Sequence, residues 1–254
     1  MELTYIILFF IFGLYMGSFY TVIGLRLPRG EDFLISRSRC DECKHQLSLL
    51  EMVPIFSYFM LGKRCRYCNS KISPLSTYIE FFTGVLFAVS YYSFSFSYEL
   101  LIALGIVSLL IIIIVTDLVY LIIPDELLIF FSIYFITIQF LISGLKGTLI
   151  HILTGVFLFG LMYLIMLLGN KAFKKESMGG GDVKLMFLFG LILDPLLGTL
   201  TIFLGSFFAL PMSLFLYFSN NERVIPFGPF LVIALAFMYF TKLDPNILIN
   251  WFKF

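Results

Sequence analysis

Six apolar runs long enough to cross a membrane, and two shorter ones, divide this chain almost from end to end. The long runs are 3–25, 75–94, 98–116, 126–143, 147–169 and 195–218; the short ones are 183–193 and 226–241. A hydrocarbon slab takes about 20 helical residues to cross. The chain is 60% hydrophobic and only 13% charged, where a soluble domain is about a quarter charged. The expected fold is an all-α polytopic membrane protein of about eight transmembrane helices. Run 183–193 is the shortest and is set off by Asp194-Pro195, where Pro opens a helix rather than continuing one. At about 1.5 Å per residue it crosses only by taking in Gly181 and Asp182 or by thinning the bilayer.

Charge then orients the spans. Glu2, not Lys or Arg, precedes the first run, and no short apolar core with a small-residue cleavage site follows, so that run reads as a retained helix. Between the first two runs, residues 26–74 hold Arg26, Arg29, Arg37, Arg39, Lys44, Lys63, Arg64, Arg66 and Lys71. Threading eight spans from there puts Lys171, Lys174, Lys175 and Arg223 on the same side and leaves Lys146, Lys242 and Lys253 opposite. Basic residues mark the cytoplasmic side, so the long loop is expected there and both termini outside. Trp251, Phe252 and Tyr239 read as interfacial anchors. A net charge of +1 predicts no nucleic-acid partner. His151, inside an apolar run, is expected to be a hydrogen-bonded helix residue.

All four cysteines fall in the 26–74 loop, as Cys40-x-x-Cys43 and Cys65-x-x-Cys68. Two such knuckles supply the four sulfurs of a tetrahedral zinc, in a zinc-ribbon-like spacing slightly longer than usual. Redox-active pairs or free thiols are the alternatives; a reducing cytoplasm disfavours disulfides. A closed four-Cys shell has no open position, so this Zn2+ is structural. His45 is then a solvated loop residue. The loop is too small for a core of its own without such a staple.

Two aspartates stand where apolar surroundings make charge costly. Asp117 ends the third run, and Asp182 closes Met178-Gly179-Gly180-Gly181-Asp182 at the start of the sixth. An ionisable group in such a place is by default a functional-site hypothesis. The threading brings both to the cytoplasmic border, although 65 residues separate them. Two carboxylates that share a proton are able to activate a water between them. The glycines remove side chains, so a substrate backbone has room to lie against Gly179, Gly180 and Gly181; alternatively the run is a loop ending in an N-cap aspartate. Asp125, after Ile123-Pro124, competes with Asp117 for the role. Asp117 is preferred because it abuts the apolar stretch 111–115. Lys184 either neutralises a carboxylate or snorkels to the headgroups, with snorkelling the default.

These motifs together resemble the type IV prepilin peptidases, bacterial membrane aspartic proteases of the Gly-x-Gly-Asp class. Gly17-Ser18-Phe19 through Arg26-Leu27-Pro28 is similar to that family's first block. The cysteine loop encloses Glu51-Met52-Val53-Pro54, and Ile72-Ser73 with Glu80-Phe81-Phe82-Thr83-Gly84 is similar to the entry of its second helix. Asp117 with Ile123-Pro124-Asp125, then Gly179 to Lys184, then Pro226-Phe227-Gly228-Pro229-Phe230 complete the ordered set. Where the family usually has Asn after Gly-Ser-Phe, this chain has Tyr20-Thr21.

The resemblance implies a bacterial inner-membrane endopeptidase in which Asp117 and Asp182 are catalytic. Its implied substrates are prepilins and pseudopilins of pili, secretion or competence systems. They are cut at the cytoplasmic border, between a short basic leader and an apolar segment usually opening with Phe. Many relatives also methylate the new N-terminus with S-adenosylmethionine; no motif marks that cofactor's site, and Gly84 is the residue singled out for it. The implied division is 1–25 first helix, 26–74 zinc loop and 75–254 protease core, embedded in membrane lipid. A proton- or ion-coupled transporter using the same aspartates, and a non-catalytic pilus-assembly scaffold, are the rival readings.

Overall fold

The computed structural model describes residues 2–33, 38–40, 42–174, 178–218 and 226–242. Arg37, Lys175, Arg223, Trp251, Phe252 and Lys253 lie outside them. The described residues are mainly helical, and strand pairing among them is limited to two isolated bridges, Arg39 to Gln46 and Arg64 to Lys71. The helices are α1 (Glu2–Arg26), α2 (Phe56–Met60), α3 (Leu75–Phe94), α4 (Tyr98–Tyr120), α5 (Asp125–Phe173), α6 (Gly180–Ile192), α7 (Pro195–Phe218) and α8 (Gly228–Thr241). Contacts divide the chain into two units, Met1–Leu100 and Leu101–Phe254.

In the first unit α1 packs on α3 through small residues. Gly13, Gly17, Thr21 and Gly24 are the buried residues of α1, a stripe at four- and three-residue spacing that lets two backbones approach closely. A Cβ at Gly13 would lie 2.8 Å from the Gly84 Cα. The far end of the pair is closed by rings, with Phe9 stacked on Tyr91 and Phe96 set edge-on to both Tyr5 and Tyr91. Glu80 is buried on α3, and its Oε2 accepts the Ile55 N–H at 2.8 Å. Ile55 sits at φ 62°, ψ −53°, a conformation that costs a β-branched residue about 1–3 kcal/mol. The Glu80 carboxylate therefore holds a strained turn of the 26–74 loop onto α3.

In the second unit α5 is two helices in sequence. Its 49 residues would span roughly 70 Å if straight, more than twice the hydrocarbon thickness. The break is at Gly144 (φ 64°, ψ −170°), a backbone region open essentially to glycine alone. The halves, 125–143 and 145–173, follow the two apolar runs expected there.

Packed against both halves is α6, short and, apart from Asp182 and Lys184, apolar. Val183, Leu185, Met186 and every residue from Leu188 to Ile192 are buried, the pattern of a core helix rather than a lipid-facing one. The helix takes in Gly180, Gly181 and Asp182 at its start. Gln139 Nε2 donates to the Leu191 carbonyl at 3.0 Å, tying α6 to the first half of α5. The second half crosses it at Gly155 and Gly190, where a Cβ on Gly190 would collide with the Gly155 backbone.

Among the described residues four helices are long and apolar enough to cross a membrane: Glu2–Arg29, Tyr98–Tyr120, Asp125–Ala172 and Pro195–Leu216. Gly228–Thr241 is a shorter apolar helix. The run 75–94 is helical as expected, yet it is not among the four. Glu80 and the Ser and Thr residues at 76, 77, 83, 90 and 93 dilute its hydropathy. His151 departs from expectation: its Nδ1 is buried with no hydrogen-bond partner among the described residues, and the hydroxyls three residues to either side, Thr148 and Thr154, donate to carbonyls of their own helix instead.

Candidate aspartate centre and cysteine cluster

Asp117 lies near the end of α4 and Asp182 in the first turn of α6, and both are buried, 6% and 8% exposed. Each carboxylate meets a helix N-terminus. The free N–H of Gly228, at the start of α8, donates to Asp117 Oδ2 at 3.1 Å. Asp182 accepts from the Gly179 N–H; Gly179 is the N-cap of its own helix, so Asp182 stands at the third position and reaches back as in a capping box. Unpaired N–H groups and the helix dipole both favour negative charge at these ends.

The two carboxylates are close enough for the charge on Asp117 to act on Asp182. Ile123 is the wedge common to both. A Cβ at Gly181 would stand 3.0 Å from Ile123 Cβ, and one at Gly228 would stand 3.0 Å from both Ile123 Cδ1 and Asp117 Oδ2. Side chains at these two glycines would therefore push into the wedge or into the carboxylate itself. The glycine run is thus not a loop ending in an N-cap aspartate, because the helix has begun two residues earlier.

Asp125 and Lys184 take other places. Asp125 is at the exposed start of α5, its side chain 60% exposed, and Lys184 Nζ donates to its two oxygens at 2.7 and 2.8 Å. The default of a snorkelling lysine is therefore replaced by an ion pair with a carboxylate on the neighbouring helix. With both oxygens engaged, Asp125 is a poor rival to the buried Asp117. Ile123 and the Gly228 N–H were not singled out from sequence; Pro229, in the first turn of α8, is the signal that a helix start with free N–H donors lies there.

The cysteine cluster is built from two copies of one local turn. Cys40 N–H donates to the His45 carbonyl and Lys44 N–H to the Cys40 carbonyl; Cys65 N–H donates to Ser70 and Asn69 N–H to Cys65, all at 2.9–3.0 Å. Lys44 and Asn69 occupy matching positions at φ 57° and 60°. The four Sγ atoms lie within 4.8 Å of one another, with Cys40 and Cys68 3.8 Å apart and Cys43 and Cys65 4.0 Å apart. A tetrahedral ion with metal–sulfur bonds of about 2.3 Å needs sulfurs about 3.8 Å apart, so the set fits a metal.

Hydrogen bonding from Ser70 pulls the Cys68 thiol down to about 6. Cys43, in spite of a hydrogen bond from the His45 backbone, is pushed up to about 11 by desolvation and the other sulfurs. Four sulfurs this close all become thiolates only with a cation among them. His45 lies against the Tyr67 ring, centroids 3.6 Å apart, outside the sulfur set. Gly84 lies in the α1–α3 crossing, where a Cβ would meet Leu14 Cδ2 at 2.7 Å and the Phe10 carbonyl at 3.1 Å.

The Bacterial Peptidase A24 N-terminal domain model matches residues 11–94, and the Type IV leader peptidase family model matches residues 104–214. A prepilin leader peptidase/N-methyltransferase of Bacillus subtilis (strain 168) is 36% identical over 184 residues, 72% of each chain. The protein of that name from Aeromonas salmonicida (strain A449) is 30% identical over 267 residues, 91% of this chain and 88% of that one. The Vibrio cholerae protein of that name is 28% identical over 261 residues, 95% and 98%. No solved structure matches the chain.

Proposed function

This chain belongs to the type IV leader peptidase family, and on that premise we propose that it is a membrane aspartic endopeptidase that removes the basic leader of prepilins and pseudopilins. The observation that supports the assignment of residues is that Asp117 and Asp182, two buried carboxylates from distant stretches, lie near enough to act on each other, with Ile123 packed against the helix starts beside both. One is ionised and takes a proton from the attacking water. The other is protonated, hydrogen-bonds the scissile carbonyl and then delivers its proton to the leaving amine. The pair titrates as a unit. The Gly228 and Gly179 N–H groups hold the carboxylates in place without supplying a proton. Gly179, Gly180 and Gly181 leave the substrate backbone room beside Asp182.

Eight spans follow if α3, α6 and α8 cross together with the four longer apolar helices, α5 counting twice at Gly144. In this reading the loop 26–74, rich in basic residues, faces the cytoplasm, and the cleavage site lies at the inner border of a bacterial cytoplasmic membrane. In functional terms 1–25 is the first helix, 26–74 the metal lobe and 75–254 the protease core. The transporter and scaffold readings draw no support from the relatives named above, all of which carry the peptidase name.

Cys40, Cys43, Cys65 and Cys68 would hold Zn2+, whose closed shell supplies a cross-link between the two knuckles and no chemistry. Replacing Cys65 by Ser is expected to lower bound zinc from about one per chain to almost none, as read by elemental analysis of the purified protein. The relatives' names also carry an N-methyltransferase activity, which we extend to this chain with S-adenosylmethionine as donor. The space at Gly84 is filled by Leu14 and Phe10, so the donor does not sit against that residue.

One assay tests both activities. Purified protein is incubated with a prepilin, with and without S-adenosylmethionine, and the products are weighed. Cleavage in both tubes and a mass gain of one methyl in the second is the expected result. An uncut prepilin contradicts the peptidase reading; cleavage without the gain contradicts only the methyl transfer.

A further inference from the structure

We propose that Asp125 and Lys184 are the positioning pair of the aspartate centre, and that neither touches the substrate. The proposal rests on the peptidase reading above. Asp125 opens α5 eight residues after Asp117, and Lys184 lies on α6 two residues after Asp182. Their contact is two-pronged, at 2.7 and 2.8 Å to the two carboxylate oxygens. It ties the segment that follows one aspartate to the helix turn that carries the other.

The segment between is short and stiff. Pro124, at φ −64°, has its φ locked by its ring. Ile123, just before it, packs against Gly181 at the start of α6 and Gly228 at the start of α8. Ile123-Pro124-Asp125 thus braces both helix N-termini that support the carboxylates. Deeper contacts, Gln139 to Leu191 and Gly155 against Gly190, hold the body of α6. The ion pair holds its first turn, where Asp182 sits and where helices fray.

The size of the effect separates this role from that of an ordinary surface pair. An exposed ion pair contributes at most about 1 kcal/mol, roughly fivefold in an equilibrium. Displacing a catalytic group by about 1 Å costs on the order of 100-fold in rate. Lys184→Ala and Asp125→Ala are therefore each expected to lower kcat about 10- to 100-fold with KM within about twofold. Lys184→Arg keeps the charge and most of the rate.

The decisive variant is the swap, Asp125→Lys with Lys184→Asp, which is expected to recover kcat to within about fivefold of wild type. A swap no better than the single variants overturns the proposal, as do single variants whose kcat stays within about fivefold of wild type. A raised KM with unchanged kcat overturns it too, by making the residues substrate ligands. Singles that unfold in detergent while the swap folds and cleaves support the pair; a swap that also unfolds counts against it. Wild type run alongside separates the two readings, since failure of wild type to cut refutes the peptidase assignment itself.

Discussion

Asp117→Asn and Asp182→Asn are each expected to stop leader removal, with kcat falling by about 10³-fold or more, while the protein remains folded in the membrane. The substitution is close to isosteric, so the fold has little reason to change. An Asn amide oxygen at 117 still accepts the Gly228 N–H, and one at 182 still caps the Gly179 N–H. What each variant loses is a group able to exchange a proton in the working pH range. A thermal unfolding midpoint within a few degrees of wild type, beside an uncut prepilin, is the expected pair of readings. Retained cleavage in both variants would remove the aspartates from the chemistry.

The second large effect is expected at Gly190→Val. Here no side chain has room, because the Gly155 backbone occupies the place of the Cβ. Two helix backbones in contact have no flexible side-chain end that could give way, so α6 must move off the second half of α5. Overpacking of this kind costs about 1–3 kcal/mol, read as a lower unfolding midpoint in detergent. Because Asp182 rides on the same helix, an ångström of movement also lowers kcat by roughly 100-fold. Gly160→Ala on the second half of α5 is the control. Nothing lies within 4 Å of a Cβ there, and replacing a mid-helix glycine with alanine is favourable by about 0.5–1 kcal/mol. Equal loss at both positions would mean that helix propensity, not the crossing, governs the response.

Much of this architecture was legible in the apolar runs, because in a membrane protein hydropathy and helix length express the same constraint. The runs 126–143 and 147–169 anticipate the two arms of α5, and the glycine between them is where the backbone turns. The shortness of 183–193 raised a real question. Its answer, a largely buried helix that starts at Gly180 and leaves Lys184 exposed, depends on packing that no local pattern encodes.

Charge positions were legible and charge partners were not. Asp117 and Asp182 stood out because burial of carboxylates is costly. The Lys184 contact with Asp125 joins residues 59 apart on different helices, and the spacing of neither motif points to the other. Likewise the Gly228 N–H on Asp117 and the Ile123 wedge arise only when α4, α6 and α8 converge. The run 75–94 shows the converse. Its Glu80 looked like part of a motif, and its use, gripping a strained Ile55, is visible only in three dimensions.

The central claim is that two aspartates activate a water which attacks the scissile carbonyl directly. Its most direct test is a single turnover in water enriched in oxygen-18, with enzyme in excess over prepilin, followed by mass spectrometry of the released leader. Direct attack predicts one heavy oxygen in the leader's new carboxylate in that first turnover and none in Asp117 or Asp182. A leader released with no heavy oxygen, and with the label found in one of the aspartates instead, would make that aspartate a nucleophile and contradict the account.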